Sequence, residues 1–265
     1  MYLEYWGFNR FPFDNVPDPS LFYMSKVHEE GLTRLLYAVK MKKGCALLSG
    51  DIGCGKTILS MVLLDRICNT PVMPVLISSP VSDPLEFLQD FLYRLNVEDI
   101  PDKMVEVLRV LNHKLIENIN AGKDTILIID EAQILSEDAL EQVRLLLNFQ
   151  LRDRFLLTIL LFGQPELVKK VRNIKQLEQR VAIKFVLKPF DLRDTAKYIL
   201  FRQSKAGGRN VFTKQAIEAV YRYSTGIPRN INRLCDMALL VAYGEKRENV
   251  NSKIIHEIVE DGSIF

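Results

Sequence analysis

Apolar and polar positions follow two rhythms along this chain. Short, largely apolar runs recur at Cys45–Ser49, Val72–Ser78, Thr125–Ile129, Phe155–Phe162 and Val181–Leu187, and these read as strands. Between them lie longer stretches with helical periodicity and readable ends. Gly44 and Gly122 follow such stretches as C-terminal stops. Asp83-Pro84-Leu85-Glu86 offers an N-cap, a Pro at the first helical position and a Glu placed to complete a capping box. Strands alternating with helices predict βαβ units and a parallel sheet. Ile126–Ile129 and Leu156–Leu161 lack polar alternation, so those strands are expected at central positions covered on both faces. Beyond about Pro189 the strand signals stop. Asp191–Ala206, Lys214–Tyr223, Arg229–Tyr243 and Ser252–Glu260 all read as helices. The expected organisation is an α/β body over residues 1–189 and a small all-helical domain over residues 190–265.

The first strand runs into Gly50-Asp51-Ile52-Gly53-Cys54-Gly55-Lys56-Thr57, which has the spacing GxxxxGK[ST]. An apolar strand before it and an amphipathic helix after it, Ile58–Ile67, give the pattern its context. The glycines allow tight turns and leave backbone N–H groups free to surround phosphate oxygens. The following helix adds its positive N-terminal end. Lys56 can reach β- and γ-phosphates and the Thr57 hydroxyl can hold Mg²⁺, so ATP and Mg²⁺ are the expected cofactors. The third strand ends in Asp130-Glu131, followed by Ala132-Gln133. Asp130 would complete the Mg²⁺ shell, and Glu131 would orient or deprotonate the attacking water. The presence of both carboxylates favours hydrolysis over a nucleotide-bound scaffold.

Two further polar residues fit the same chemistry. Gln164 follows the fourth strand, expected beside the Asp130 strand, where its amide can touch a γ-phosphate or the attacking water. Gln164-Pro165 also reads as a helix start. Arg229 lies in the first turn of a helix opened by Gly226-Ile227-Pro228, where it opposes the helix dipole. An arginine there wants an external anion, and a γ-phosphate would serve.

These motifs together resemble AAA+ ATPases, and within them the general secretion pathway protein A (ExeA-like) branch. The resemblance is carried by Pro12-Phe13, Pro17-Asp18-Pro19, Ser25 and His28 near the N-terminus, and by Gly50–Thr57 and Asp130-Glu131-Ala132-Gln133. Gly163-Gln164-Pro165-Glu166-Leu167, Gln179-Arg180 and Gly226–Asp236 follow it too. It implies a P-loop AAA+ fold with a nucleotide between the α/β body and a helical lid, Arg229 as sensor 2 and Gln164 near sensor 1. It also implies Arg180 as an arginine finger completing a neighbouring subunit's site, hence a homo-oligomer. The residues themselves leave Arg180 equally readable as a solvated helix-end arginine. Membrane-anchored relatives continue into a transmembrane helix and a peptidoglycan-binding region, so the match is to the soluble ATPase portion. Position 184 is Lys184 where some relatives carry a second arginine. The implied context is envelope export (secretion, pilus or exopolysaccharide) with an envelope or secretion protein as partner.

Composition changes this picture little. The 265 residues are 48% hydrophobic and 26% charged, ordinary for a globular chain. No apolar run approaches the roughly 20 residues that span a bilayer, and no signal-peptide pattern opens the sequence. The cysteines (Cys45, Cys54, Cys68, Cys235) show no CxxC spacing and His28, His113 and His256 are scattered, so neither disulfides nor a zinc site is expected. A cytoplasmic protein, peripheral at the inner membrane if it serves export, is the expectation.

Charge matters more. The formal net charge of +2 hides a net of −8 over residues 78–153 (15 acidic, 7 basic) and of +11 over residues 165–233 (16 basic, 5 acidic). A block that basic could meet nucleic-acid phosphates, anionic lipid or the acidic block of a neighbouring subunit. A DNA-directed AAA+ regulator, as in transposition, is therefore the second reading. Residues 1–24 carry 8 of the 24 aromatic side chains. They read as a strap packed on the α/β body, or alternatively as a docking patch for a partner or membrane that partly borders the adenine.

Overall fold

A computed structural model of the protein describes residues 2–152 and 154–262; the last residues of the expected helical domain, 263–265, lie outside them. In chain order the leader holds α1 (Leu3–Trp6) and a 3₁₀ turn (Pro19–Leu21). Then follow α2 (Lys26–Lys40), β1 (Cys45–Gly50), α3 (Lys56–Ile67), β2 (Val72–Ile77), α4 (Pro84–Arg94), α5 (Met104–Asn120) and β3 (Asp124–Ile129). A second 3₁₀ turn (Ala132–Ile134) leads to α6 (Glu137–Leu146), β4 (Leu157–Gly163), α7 (Pro165–Asn173), α8 (Lys175–Arg180) and β5 (Val181–Leu187). The chain continues as α9 (Leu192–Lys205), α10 (Lys214–Ser224), α11 (Pro228–Gly244) and α12 (Ser252–Glu260). By contact density, residues 27–51 and 56–187 form one compact unit, and residues 2–26, 52–55 and 188–262 another.

The first unit is an α/β body. Its five strands are all parallel, in the order β2-β3-β4-β1-β5. Successive side chains of a strand point to opposite faces, and both faces are covered here, which explains the unbroken apolar runs of β3 and β4. Leu47, Leu127, Ile129, Ile159 and Leu161 join one core with Phe87 and Phe91 of α4, Leu111 of α5 and Leu140 of α6. On the other face Leu48 and Phe185 lie against Gly31 of α2, where an added Cβ would meet the Phe185 ring at 3.0 Å. Helix ends follow their sequence signals. The Asp83 carboxylate accepts from the N–H groups of Leu85 and Glu86, both at 2.9 Å, and Gly44 and Gly122 adopt φ +75° after the helices they stop. Strand β4 begins at Leu157 rather than at Phe155. Phe155 instead closes an antiparallel bridge with Gln150.

The second unit is helical, and its core corrects one expectation. The aromatic leader is expected to pack on the α/β body, but four of its rings belong to the core of the helical unit. Tyr2, Trp6, Phe8 and Phe13 are buried in a cluster with Val211, Phe212, Leu234 and Leu239 of the helical region. Polar ends are satisfied there as well: Trp6 Nε1 donates to the Leu239 carbonyl at 3.2 Å, and the Tyr2 hydroxyl donates to Asp236. Arg202, buried in α9, donates to the carbonyls of Pro12 and Asp14. The reason is physical. The helical segment is small, and the leader enlarges its core by four aromatic side chains. Among the described residues no helix is long and apolar enough to cross a membrane.

Candidate functional site

In a parallel sheet every strand delivers its C-terminal end to the same edge, where ligands bind. β1 and β3 deliver Gly50 and Asp130 to that edge. Gly50 sits against β5, where a Cβ would fall 2.7 Å from the Leu187 carbonyl oxygen, so no other residue fits. Gly53 (φ +84°) and Gly55 (φ +92°) take the left-handed conformations that side chains resist. Lys56 opens α3, is only 5% exposed, and donates from Nζ to the carbonyls of Gly50 (2.8 Å) and Asp51 (3.0 Å). The cation thereby lies folded across the mouth of its own loop.

Asp130 is 2% exposed. Burial pushes its carboxyl above the usual carboxylate range, opposed by the Thr57 hydroxyl and the Glu131 N–H that donate to it and by the nearby Lys56 charge. A hydroxyl and a buried carboxylate in contact are hard oxygen donors of the kind Mg²⁺ takes, so Thr57 and Asp130 fit the expected metal. The N–H of Asp130 donates to the Ile77 carbonyl at 2.8 Å, which extends the β2–β3 ladder by one residue and fixes its backbone.

Glu131 turns the chain sharply at φ +51°, ψ +35°, a conformation costing a non-glycine residue roughly 1–2 kcal/mol. Its carboxylate accepts from two side-chain amides, Gln133 Nε2 and Gln164 Nε2, the latter at 3.2 Å. Gln164 is also the N-cap residue of α7, so both sequence readings of it describe the same residue. Gln133, to which sequence reasoning gave no role, is the residue that links Glu131 to Gln164. Its advance signals are a polar side chain two positions after the acidic pair and its place in the Asp130-Glu131-Ala132-Gln133 run that carries the family resemblance, neither of which states a role.

Ile52–Gly55 group with the helical unit, and there the start of α11 meets Gly53. The Arg229 N–H donates to the Gly53 carbonyl at 3.3 Å, and a Cβ on Gly53 would come within 2.7 Å of Arg229 Cβ. Arg229 is therefore next to the loop, with its side chain exposed. Cys54 is buried while Ile52 is exposed.

Arg180 is not brought to this group. It ends α8, is exposed, and donates from Nη2 to Asn148 Oδ1 at 3.1 Å. The β1–β5 register pairs Cys45 with Val181 and Gly50 with Leu187. Arg180 thus precedes the start of β5, about 20 Å along the strand from the edge that carries the loop of its own chain. Lys184 is engaged with Glu178 at 2.8 Å.

The chain is similar in sequence and in fold to known proteins. The AAA domain family matches residues 39–171. The chain is 34% identical to general secretion pathway protein A of Aeromonas hydrophila over 260 residues, 97% of this chain and 47% of that protein. It is 28% identical to the ATP-dependent target DNA activator B of Escherichia phage Mu over 131 residues, 49% of this chain and 39% of that protein. The chain thus spans about half or less of the curated relatives it matches. Among solved structures, the Aeropyrum pernix ORC2 protein in its ADPNP-ADP complexes superposes with a TM-score of 0.70 at 17% identity, covering 96% of this chain and 71% of that one. At that identity the likeness is one of fold.

Proposed function

The chain belongs to the AAA+ ATPase family, and from that premise we propose that it hydrolyses ATP with Mg²⁺ to drive or switch a macromolecular assembly. The observation that carries hydrolysis is the Glu131 carboxylate, held by Gln133 and Gln164 beside Asp130. A carboxylate so placed can orient or deprotonate a water for attack on a γ-phosphate. Gly50, Asp51, Ile52, Gly53, Cys54 and Gly55 wrap the phosphates, and Lys56 leaves its two carbonyls to neutralise them. Thr57 and Asp130 hold Mg²⁺, which supplies positive charge beside the phosphate oxygens. Arg229 reaches the γ-phosphate, and Arg180 serves a neighbouring subunit in a homo-oligomer. Lys56→Ala is expected to abolish binding of a fluorescent ATP analogue. Glu131→Gln is expected to retain that binding and to release no phosphate. Unchanged affinity in the first variant, or normal turnover in the second, removes the corresponding role.

The proposed process is bacterial envelope export, by similarity to the Aeromonas secretion protein over nearly the whole chain. On this reading the protein works in the cytoplasm, peripheral at the inner membrane, with an envelope or secretion protein as partner. A DNA-directed role is the second reading, favoured by the +11 block over residues 165–233 and by similarity to the phage DNA activator. Titration with duplex DNA and ATP at low and high salt separates the two. Neutralised phosphates make DNA affinity fall steeply with salt, and no binding at low salt removes that reading.

A further inference from the structure

Gln133 sits at the centre of a hydrogen-bonded cluster for which the nucleotide chemistry above gives no reason. Both ends of its carboxamide are used. Oε1 accepts from the Gln164 N–H at 3.1 Å, and Nε2 donates to the Glu131 carboxylate. The amide can stand only this way round, because a backbone N–H must donate and a carboxylate must accept. The backbone of the same turn is gripped from α7. Lys170 Nζ donates to the carbonyls of Gln133 and Leu135, both at 2.7 Å, and so ties the end of the 3₁₀ turn. Gly163, immediately before Gln164, leaves the room. A Cβ there would come within 2.9 Å of Gln133 Oε1 and 2.6 Å of Leu167 Cδ2. Three elements, the 3₁₀ turn, the end of β4 and α7, thus converge on one side chain whose outward end is the Glu131 carboxylate.

We propose that Gln133, held by Lys170 and housed by Gly163, is a positioning residue that aims the Glu131 carboxylate at the attacking water. The inference rests on the reading of Glu131 as the catalytic carboxylate. Glu131 occupies a left-handed conformation at the entry to the 3₁₀ turn, and the direction of its side chain is set by the groups that bond its carboxylate. Gln164 alone supplies one donor, and a single hydrogen bond leaves the carboxylate free to rotate about it. The Gln133 amide is the second donor and sets the plane. Gln133 engages Glu131, Gln164 and Lys170 and acts through the Glu131 carboxylate, so its loss should act on turnover and not on nucleotide binding.

The test measures steady-state ATP hydrolysis, fluorescent-nucleotide affinity and thermal unfolding of the full chain for Gln133→Leu, Lys170→Met and Lys170→Arg, with Glu131→Gln in parallel. Gln133→Leu is expected to lower kcat by about 10- to 100-fold, the usual effect of misplacing a reacting group, with nucleotide affinity within about twofold of the parent. Lys170→Met should lower kcat in the same direction, and Lys170→Arg, which can still bridge two carbonyls, should restore most of it. A role in folding alone would lower the unfolding temperature and would not separate kcat from affinity. Wild-type kcat in Gln133→Leu overturns the positioning role. So do equal rates in Lys170→Met and Lys170→Arg, a readout that stands even if Gln133→Leu does not fold. Wild-type turnover in Glu131→Gln overturns the catalytic assignment beneath both.

Discussion

Burial divides the four cysteines into two chemical classes. Cys45, Cys54 and Cys235 are buried and Cys68 is exposed. Burial pushes the Cys45 thiol up to about 12 and raises that of Cys235 as well, so both remain protonated at pH 8, where thiolate is the reactive form. Ellman's reagent at pH 8 should therefore titrate one thiol quickly in the native protein and four after denaturation. Two or more fast thiols would contradict the buried positions. At this scale the sequence was informative wherever chemistry dictates residue type. Lys56 opens α3, Asp130 and Glu131 follow β3, and Gln164 is the N-cap residue of α7. Gln133 was not legible, because its importance comes from contacts with Gln164, 31 positions away, and with Lys170. No local pattern encodes contacts of that range.

Elements were legible where their ends carry punctuation. Pro84 after Asp83, Gly122 after α5 and the apolar runs of β1 and β3 gave boundaries within a residue or so. The start of β4 was misread because Phe155 is as apolar as its neighbours, and only the bridge to Gln150 takes it out of the ladder. The join into α11 shows how tightly an element's entry can be constrained. Gly226 has φ +76°, and a Cβ there would lie 1.9 Å from the Phe190 carbonyl oxygen. The backbone is pinned at the same point by the Phe190 N–H, which donates to the Gly226 carbonyl at 2.9 Å. Gly226→Ala should cost more than about 2 kcal/mol, since it combines a disfavoured φ with a backbone clash. Urea unfolding would detect this as a lowered midpoint. An unchanged midpoint would mean that the segment carrying Arg229 is far more compliant than its contacts indicate.

For the molecule as a whole, sheet topology bears on the proposed role of Arg180. Gly50 lies at the C-terminal edge of the strands and Arg180 at the opposite edge, so Arg180 does not reach the loop of its own chain, and in the proposed homo-oligomer it would serve a neighbouring copy. Arg180→Ala should bind ATP and lose hydrolysis, and mixing it with Glu131→Gln should recover part of the activity. No recovery at any mixing ratio would count against a shared site. The alternation of strands and helices made the α/β body readable, whereas the destination of the leader was not, since aromatic residues pack equally well against either kind of surface. That destination has a consequence in time. Tyr2, Trp6, Phe8 and Phe13 leave the ribosome well before the helices that bury them, which begin only at Leu192. At about 5–20 residues per second the aromatic leader waits on the order of 10–30 s for its partners, while the α/β body has already been synthesised. The newborn chain thus carries a sticky, unburied segment while the body is being made, and this is when it should be most open to chaperones and most prone to aggregate.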